Sequence, residues 1–105
     1  MNAGKKTLYR EVAQTVNQAL GRKAITPERI ARTVEEAHGL RQRRGVFALL
    51  QYVNQLPNRY FTEEELEILK AHPRRRELTN RMLAHLVREG IITYTESMML
   101  KRMVP

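Results

Sequence analysis

The sequence predicts a mainly α-helical domain closed by a small C-terminal β-hairpin. Apolar residues recur at helical spacing over most of the 105-residue chain. Capping residues, prolines and glycines cut that pattern into helix-sized pieces. After Gly90 the pattern gives way to the β-branched and aromatic run Ile91-Ile92-Thr93-Tyr94-Thr95, which favours extended backbone.

Met1 to Lys6 is polar and expected to fray. Leu8, Val12, Val16, Ala19 and Leu20 then place one apolar stripe on a helix from Thr7 to Leu20, with Gly21 as its left-handed terminator. Thr26 and Pro27 form an N-cap and first-turn pair. Ile30, Val34 and Ala37 carry the buried side of this second helix, which Gly39 closes. Both helices need a partner surface, because helices this short are marginal alone. A third helix presents Val46, Leu49, Leu50, Val53 and Leu56 and ends before Pro57. The turn Pro57-Asn58-Arg59 leads to Tyr60 and Phe61, either a very short strand or a hydrophobic staple.

Thr62 and Glu65 have the spacing of a capping box, and Glu63, Glu64 and Glu65 together complement the dipole of a fourth helix. Leu66 and Leu69 are its buried side, and His72-Pro73 stops it. A fifth helix runs from Arg75 to about Glu89 on Leu78, Met82, Leu83, Leu86 and Val87, and Gly90 ends it. Ile91 to Thr95 is the first hairpin strand, Glu96-Ser97 its turn and Met98 to Val104 the returning strand. No repeat, low-complexity segment or long linker divides the chain. Residues 1–105 therefore read as one domain, in which 1–42 is a helical extension of a core at 43–104.

Nineteen Lys and Arg against eleven acidic residues leave a formal charge of +8, and every acidic residue is Glu. Arg outnumbers Lys fourteen to five, and the planar guanidinium suits phosphates and base edges. A surplus of this kind points to an acidic partner, nucleic acid foremost. The absence of cysteine excludes disulfides, thiolate metal sites and cysteine nucleophiles, and fits a cytoplasmic setting, nucleoid-associated in a bacterium. The longest apolar run is Val46 to Leu50, so neither a membrane span nor a cleavable signal is expected. His38, His72 and His85 stand apart without companions at ligand spacing and read as surface or partly buried side chains; no metal is expected. Ser97 is the sole serine, aspartate is absent and no glycine-rich phosphate loop occurs, so neither an enzyme nor a cofactor is expected.

Residues 43–104 thus run helix, short extended piece, capped helix, turn, helix, glycine, hairpin. Within them, Leu83-Ala84-His85-Leu86-Val87-Arg88-Glu89-Gly90-Ile91-Ile92 sets two core leucines, a charged pair, a glycine and two apolar residues in succession. This resembles the winged helix-turn-helix family of DNA-binding domains. Two features depart from that family: the inter-helix turn holds Pro73 and three consecutive arginines, and the wing is short and Met-rich. The resemblance implies that the helix from Arg75 to Glu89 enters a major groove, and that Gly90 turns the chain into a wing at positive φ. Its outward face would hold Arg76, Glu77, Asn80, Arg81, Ala84 and Arg88, with Arg and Asn matched to guanine and adenine edges. Arg74 and Arg75 would clamp phosphate, and Lys101 and Arg102 on the second wing strand would reach the flanking backbone. Arg43 and Arg44, with Arg41, read as a second basic cluster at a helix start, where a cation opposes the dipole and backbone contact is the better account.

The expected function is sequence-specific binding of double-stranded DNA by a small transcriptional regulator. The two leading helices either complete one core or hold a homodimer that reads two half-sites. Met98, Met99 and Met103 either fill core gaps or present a partner surface. A winged-helix protein-interaction module, or an accessory protein of replication or recombination, is the alternative. It would use the Met-rich C-terminal strand and the N-terminal helices. RNA binding is a third reading, weakened by the small set of six aromatic residues.

Overall fold

The computed structural model describes residues 3–103. Six helices follow one another: α1 (Ala3–Leu20), α2 (Pro27–Arg44), α3 (Val46–Tyr60), α4 (Glu63–Lys70), α5 (Arg75–Arg88) and α6 (Tyr94–Met103). The first helix begins within the segment expected to fray. Among the described residues no strand forms. This overturns the C-terminal hairpin and with it the winged helix-turn-helix fold; Val104, the last residue of the expected second strand, lies outside the described residues.

The cause is local. Thr93 Oγ1 accepts from the Glu96 amide at 3.1 Å, and Glu96 Oε1 accepts from the Thr93 amide at 2.9 Å. That reciprocal pair is a capping box, and it starts a helix where the β-branched composition suggested a strand. Ser97, expected in a turn, donates its hydroxyl to the Tyr94 carbonyl at 2.6 Å and is buried one turn from Leu100. Glu96 also pairs with Arg41, which reaches the Ile91 carbonyl at 3.3 Å. Helix α6 is thereby fastened to the end of α2.

Two other boundaries move. Helix α2 passes through Gly39 and ends at Gly45, whose φ of +88° few side chains tolerate. A glycine inside a helix weakens it by only about 1 kcal/mol, which packing overrides; here the Arg43 side chain lies over it. Arg41, Arg43 and Arg44 consequently occupy a helix end, where cations complement the dipole instead of opposing it. Helix α3 continues past Pro57 to Tyr60, and the Phe61 amide closes onto the Pro57 carbonyl at 3.0 Å. Proline removes one donor but leaves the donors that follow it intact. Tyr60 is therefore helical, Phe61 alone is extended, and no strand forms there.

The expected capping box at Thr62 and Glu65 is present. Gly90 has φ +74°, as expected, and sits in a Schellman turn: its amide donates to Val87 O and that of Ile91 to Leu86 O. The turn delivers Ile91 and Ile92 into the core, both nearly inaccessible, with Ala37, Leu49, Leu83 and Leu100. Leu8, Tyr9 and Ala13 of α1 are buried too, and α1 packs on α2, α4 and α5. The radius of gyration, 13.3 Å, equals that of one packed unit of this size, about 13 Å.

Candidate functional site

The predicted contacts concentrate on α5, whose inward side is set by Leu78, Leu83 and His85. The opposite side shows Arg76, Asn80, Ala84 and Arg88, all exposed. Four-residue steps keep them on one stripe, and a 1.5 Å rise per residue makes that stripe about 18 Å long. None of the ion pairs among the described residues takes in Arg76 or Arg88.

Arg74 and Arg81 are placed differently. Glu11, reaching across from α1, pairs with Arg74 and lies 2.9 Å from Arg81. Glu77 on α5 itself lies 3.0 Å from Arg74 and 3.4 Å from Arg81. Two guanidiniums thus meet two carboxylates, and their charges cancel locally. Hydrogen bonds from Arg81 and then Arg74 hold the Glu11 carboxyl down at about 2. Arg74 is the main cause that keeps Glu77 below the usual carboxylate range. These two arginines work inside the molecule, joining α1 to the start of α5.

Beneath this network lies a buried polar pair. Tyr9 Oη and His85 Nε2 are 2.8 Å apart, and their rings meet edge to face at 5.4 Å. Burial raises the Tyr9 phenol to about 12 and lowers the His85 imidazole, each group held neutral by desolvation. His85 is therefore a core histidine, more deeply placed than its isolation in the sequence suggested.

The structure also adds cations that the sequence reading passed over. Lys5, Lys6 and Arg10 of α1 line one recess with Tyr9, and Lys5 lines a second recess with Ala84, His85 and Arg88. Lys5 thus joins α1 to the basic face of α5, whereas Lys6 and Arg10 share their recess with Glu28 and Ala31 of α2. Lys6 and Arg10 stand four residues apart, a helical spacing that the expectation of fraying concealed.

The remaining predicted residues lie elsewhere. Arg75 is half-buried, and its Nη1 meets no hydrogen-bond partner among the described residues. Arg43 and Arg44 are exposed in the last turn of α2. Lys101 and Arg102 are exposed in the last turn of α6, not on a wing strand. Of the predicted set, α5 brings Arg76, Asn80 and Arg88 onto one exposed face. Among the described residues no group of three or more potential metal ligands gathers, and no helix is long and apolar enough to cross a membrane. Comparison with family models, curated proteins and solved structures finds no match to the chain.

Proposed function

We propose that the chain binds double-stranded DNA through the exposed stripe of α5, with Lys5 of α1 beside the adjoining phosphates. The observation that carries this reading is the sorting of the α5 arginines. Arg76 and Arg88 stand out with Asn80 between them, while Arg74 and Arg81 are held by Glu11 and Glu77. An α-helix fits the major groove, where Arg reads guanine and Asn reads adenine. Guanidiniums without internal carboxylates are free to displace counterions from the duplex, which makes affinity fall steeply with salt. Lys5 of α1 lines a recess with Ala84 and Arg88 and adds a cation to that surface. Arg74 and Arg81 drop out of the contact set on this reading, and Lys5 enters it.

The test is binding of a short labelled duplex across a salt series. Tight binding with a steep negative slope supports the reading; a flat slope refutes it. A flat slope would favour a protein partner instead. That second reading has its own motive in the exposed apolar side chains Phe47, Tyr94, Met98 and Met99, the first two 82% and 70% accessible.

A further inference from the structure

Helix α3 buries Leu49 and packs Leu50 and Val53 against the central cluster. Its outer side carries Phe47, Gln51, Asn54 and Asn58, all exposed. Steps of four, three and four residues keep them on one stripe, the spacing of a seam between two packed helices. Phe47, 82% accessible, stands at one end of it. The other three are amides, and none of their side chains bonds another described residue. Arg59, the one charged residue of α3, lies over the Tyr52 ring at 5.7 Å, on the flank of the stripe.

The two ends of the stripe differ in charge. Residues 37–62 hold no acidic side chain, and 63–67 hold four. Arg43 and Arg44, both exposed, close α2 just before Phe47. Asn58, at the far end, shares a recess with Leu66 and with the exposed Glu63, Glu64 and Glu67 of α4. Lys70 pairs with Glu67 at 3.5 Å, but no ion pair among the described residues includes Arg43, Arg44, Glu63 or Glu64. An uncharged stripe about 17 Å long thus runs from a basic end to an acidic one.

We propose that this face binds a second copy of the chain, with the two α3 helices antiparallel about a two-fold axis. Phe47 then faces the partner's Asn58, and Gln51 faces the partner's Asn54, because both pairs are centred between Tyr52 and Val53. Each basic end meets the other copy's acidic end, twice over. Leu66, in the recess beside Asn58, gives the incoming ring an apolar seat. Amides both donate and accept, so a face built of them can satisfy its own copy. Parallel pairing would instead bring the arginines of the two basic ends together. A nucleic acid or a uniformly acidic protein is the poorer occupant, because Glu63 and Glu64 would repel it. With one helix per copy, the contact falls below the ~1,200 Å² of stable complexes, so the dimer is weak and concentration-dependent. None of this rests on DNA binding, which uses the stripe of α5.

The test is sedimentation equilibrium of the full chain without nucleic acid, from about 10 μM to 1 mM, the range suited to so small an interface. A reversible monomer–dimer equilibrium is expected. Phe47→Ser should weaken it by about a hundredfold, since each dimer loses two buried rings. Arg44→Glu lowers the net charge from +8 by two, which general repulsion alone would turn into tighter association. Here it should loosen the dimer by about tenfold, and adding Glu64→Arg to the same chain should restore it. Circular dichroism checks that each variant is folded. A monomer throughout the range overturns the proposal and leaves the stripe to another partner. So does a dimer that survives Phe47→Ser, a tighter dimer in Arg44→Glu, or a double variant no better than Arg44→Glu. Loss of the dimer in Met98→Ser but not in Phe47→Ser would place the contact on α6 instead.

Discussion

Replacing both Arg76 and Arg88 by alanine tests the sorting of arginines directly. Each cation that meets a phosphate steepens the plot of log affinity against log salt by about 0.9, so the double change should flatten it by about 1.8. Over a fourfold rise in salt, from about 50 to 200 mM, wild type should then lose roughly twelvefold more affinity than the variant. Arg81→Ala predicts the opposite pattern: the slope stays, because that guanidinium is already neutralised by Glu11 and Glu77. Glu11→Gln completes the set. It removes one of the two carboxylates while Glu77 still pairs with both arginines, so one net positive charge is released and the slope should steepen by about 0.9. Fluorescence anisotropy on a labelled duplex gives all the slopes, with circular dichroism as the control for folding. An unchanged slope in the double variant, or an equal loss in Arg81→Ala, would refute the sorting.

The remaining predictions concern the scaffold. Leu49, 1% accessible, should cost about 3 kcal/mol when cut to alanine, lowering the melting temperature by some 15 °C. Gly90→Ala meets open space but a φ of +74°, so a loss of about 1–2 kcal/mol in urea denaturation is expected from backbone conformation alone. Thr93→Ala should cost about 1 kcal/mol and fray α6, read as a small loss of total helical circular dichroism. The Tyr9–His85 pair predicts two stability limits in a pH series of thermal melts. The unfolded chain takes up the His85 proton more readily than the folded one, so stability falls as pH drops below about 6.5. The phenol is raised, so its contribution is whole below pH 10 and disappears as pH rises toward about 12. Tyr9→Phe should reduce the alkaline loss and leave the part due to Tyr52, whose phenol is also raised by burial.

Helices α1 to α5 were legible because their signals are local. The Thr62–Glu65 box, the Pro27 start and the Gly90 stop lie within a few residues of what they control. The hairpin expectation failed at Thr93, where two local signals compete. Isoleucines, threonines and tyrosine in succession suggest a strand, whereas Thr93 and Glu96 at capping-box spacing suggest a helix start. Burial of Ser97 and Leu100 three residues apart decided for the helix. The same competition at Gly39 went to the tertiary contacts of α2. In the candidate site, Arg76, Asn80 and Arg88 could be placed from periodicity. The diversion of Arg74 and Arg81 could not, because Glu11 lies 63 residues from the first in sequence and no local pattern links them.

Glu11 has a mechanical consequence as well. By holding residues 74 and 81 at once, it fixes the axis of α5 against α1 before anything lands on the outer side. A rigid platform of this sort surrenders little freedom on association. The ordering penalty then falls mainly on the long side chains that reach the duplex, Arg76 and Arg88 with Lys5 of α1, about 0.5–1.5 kcal/mol apiece.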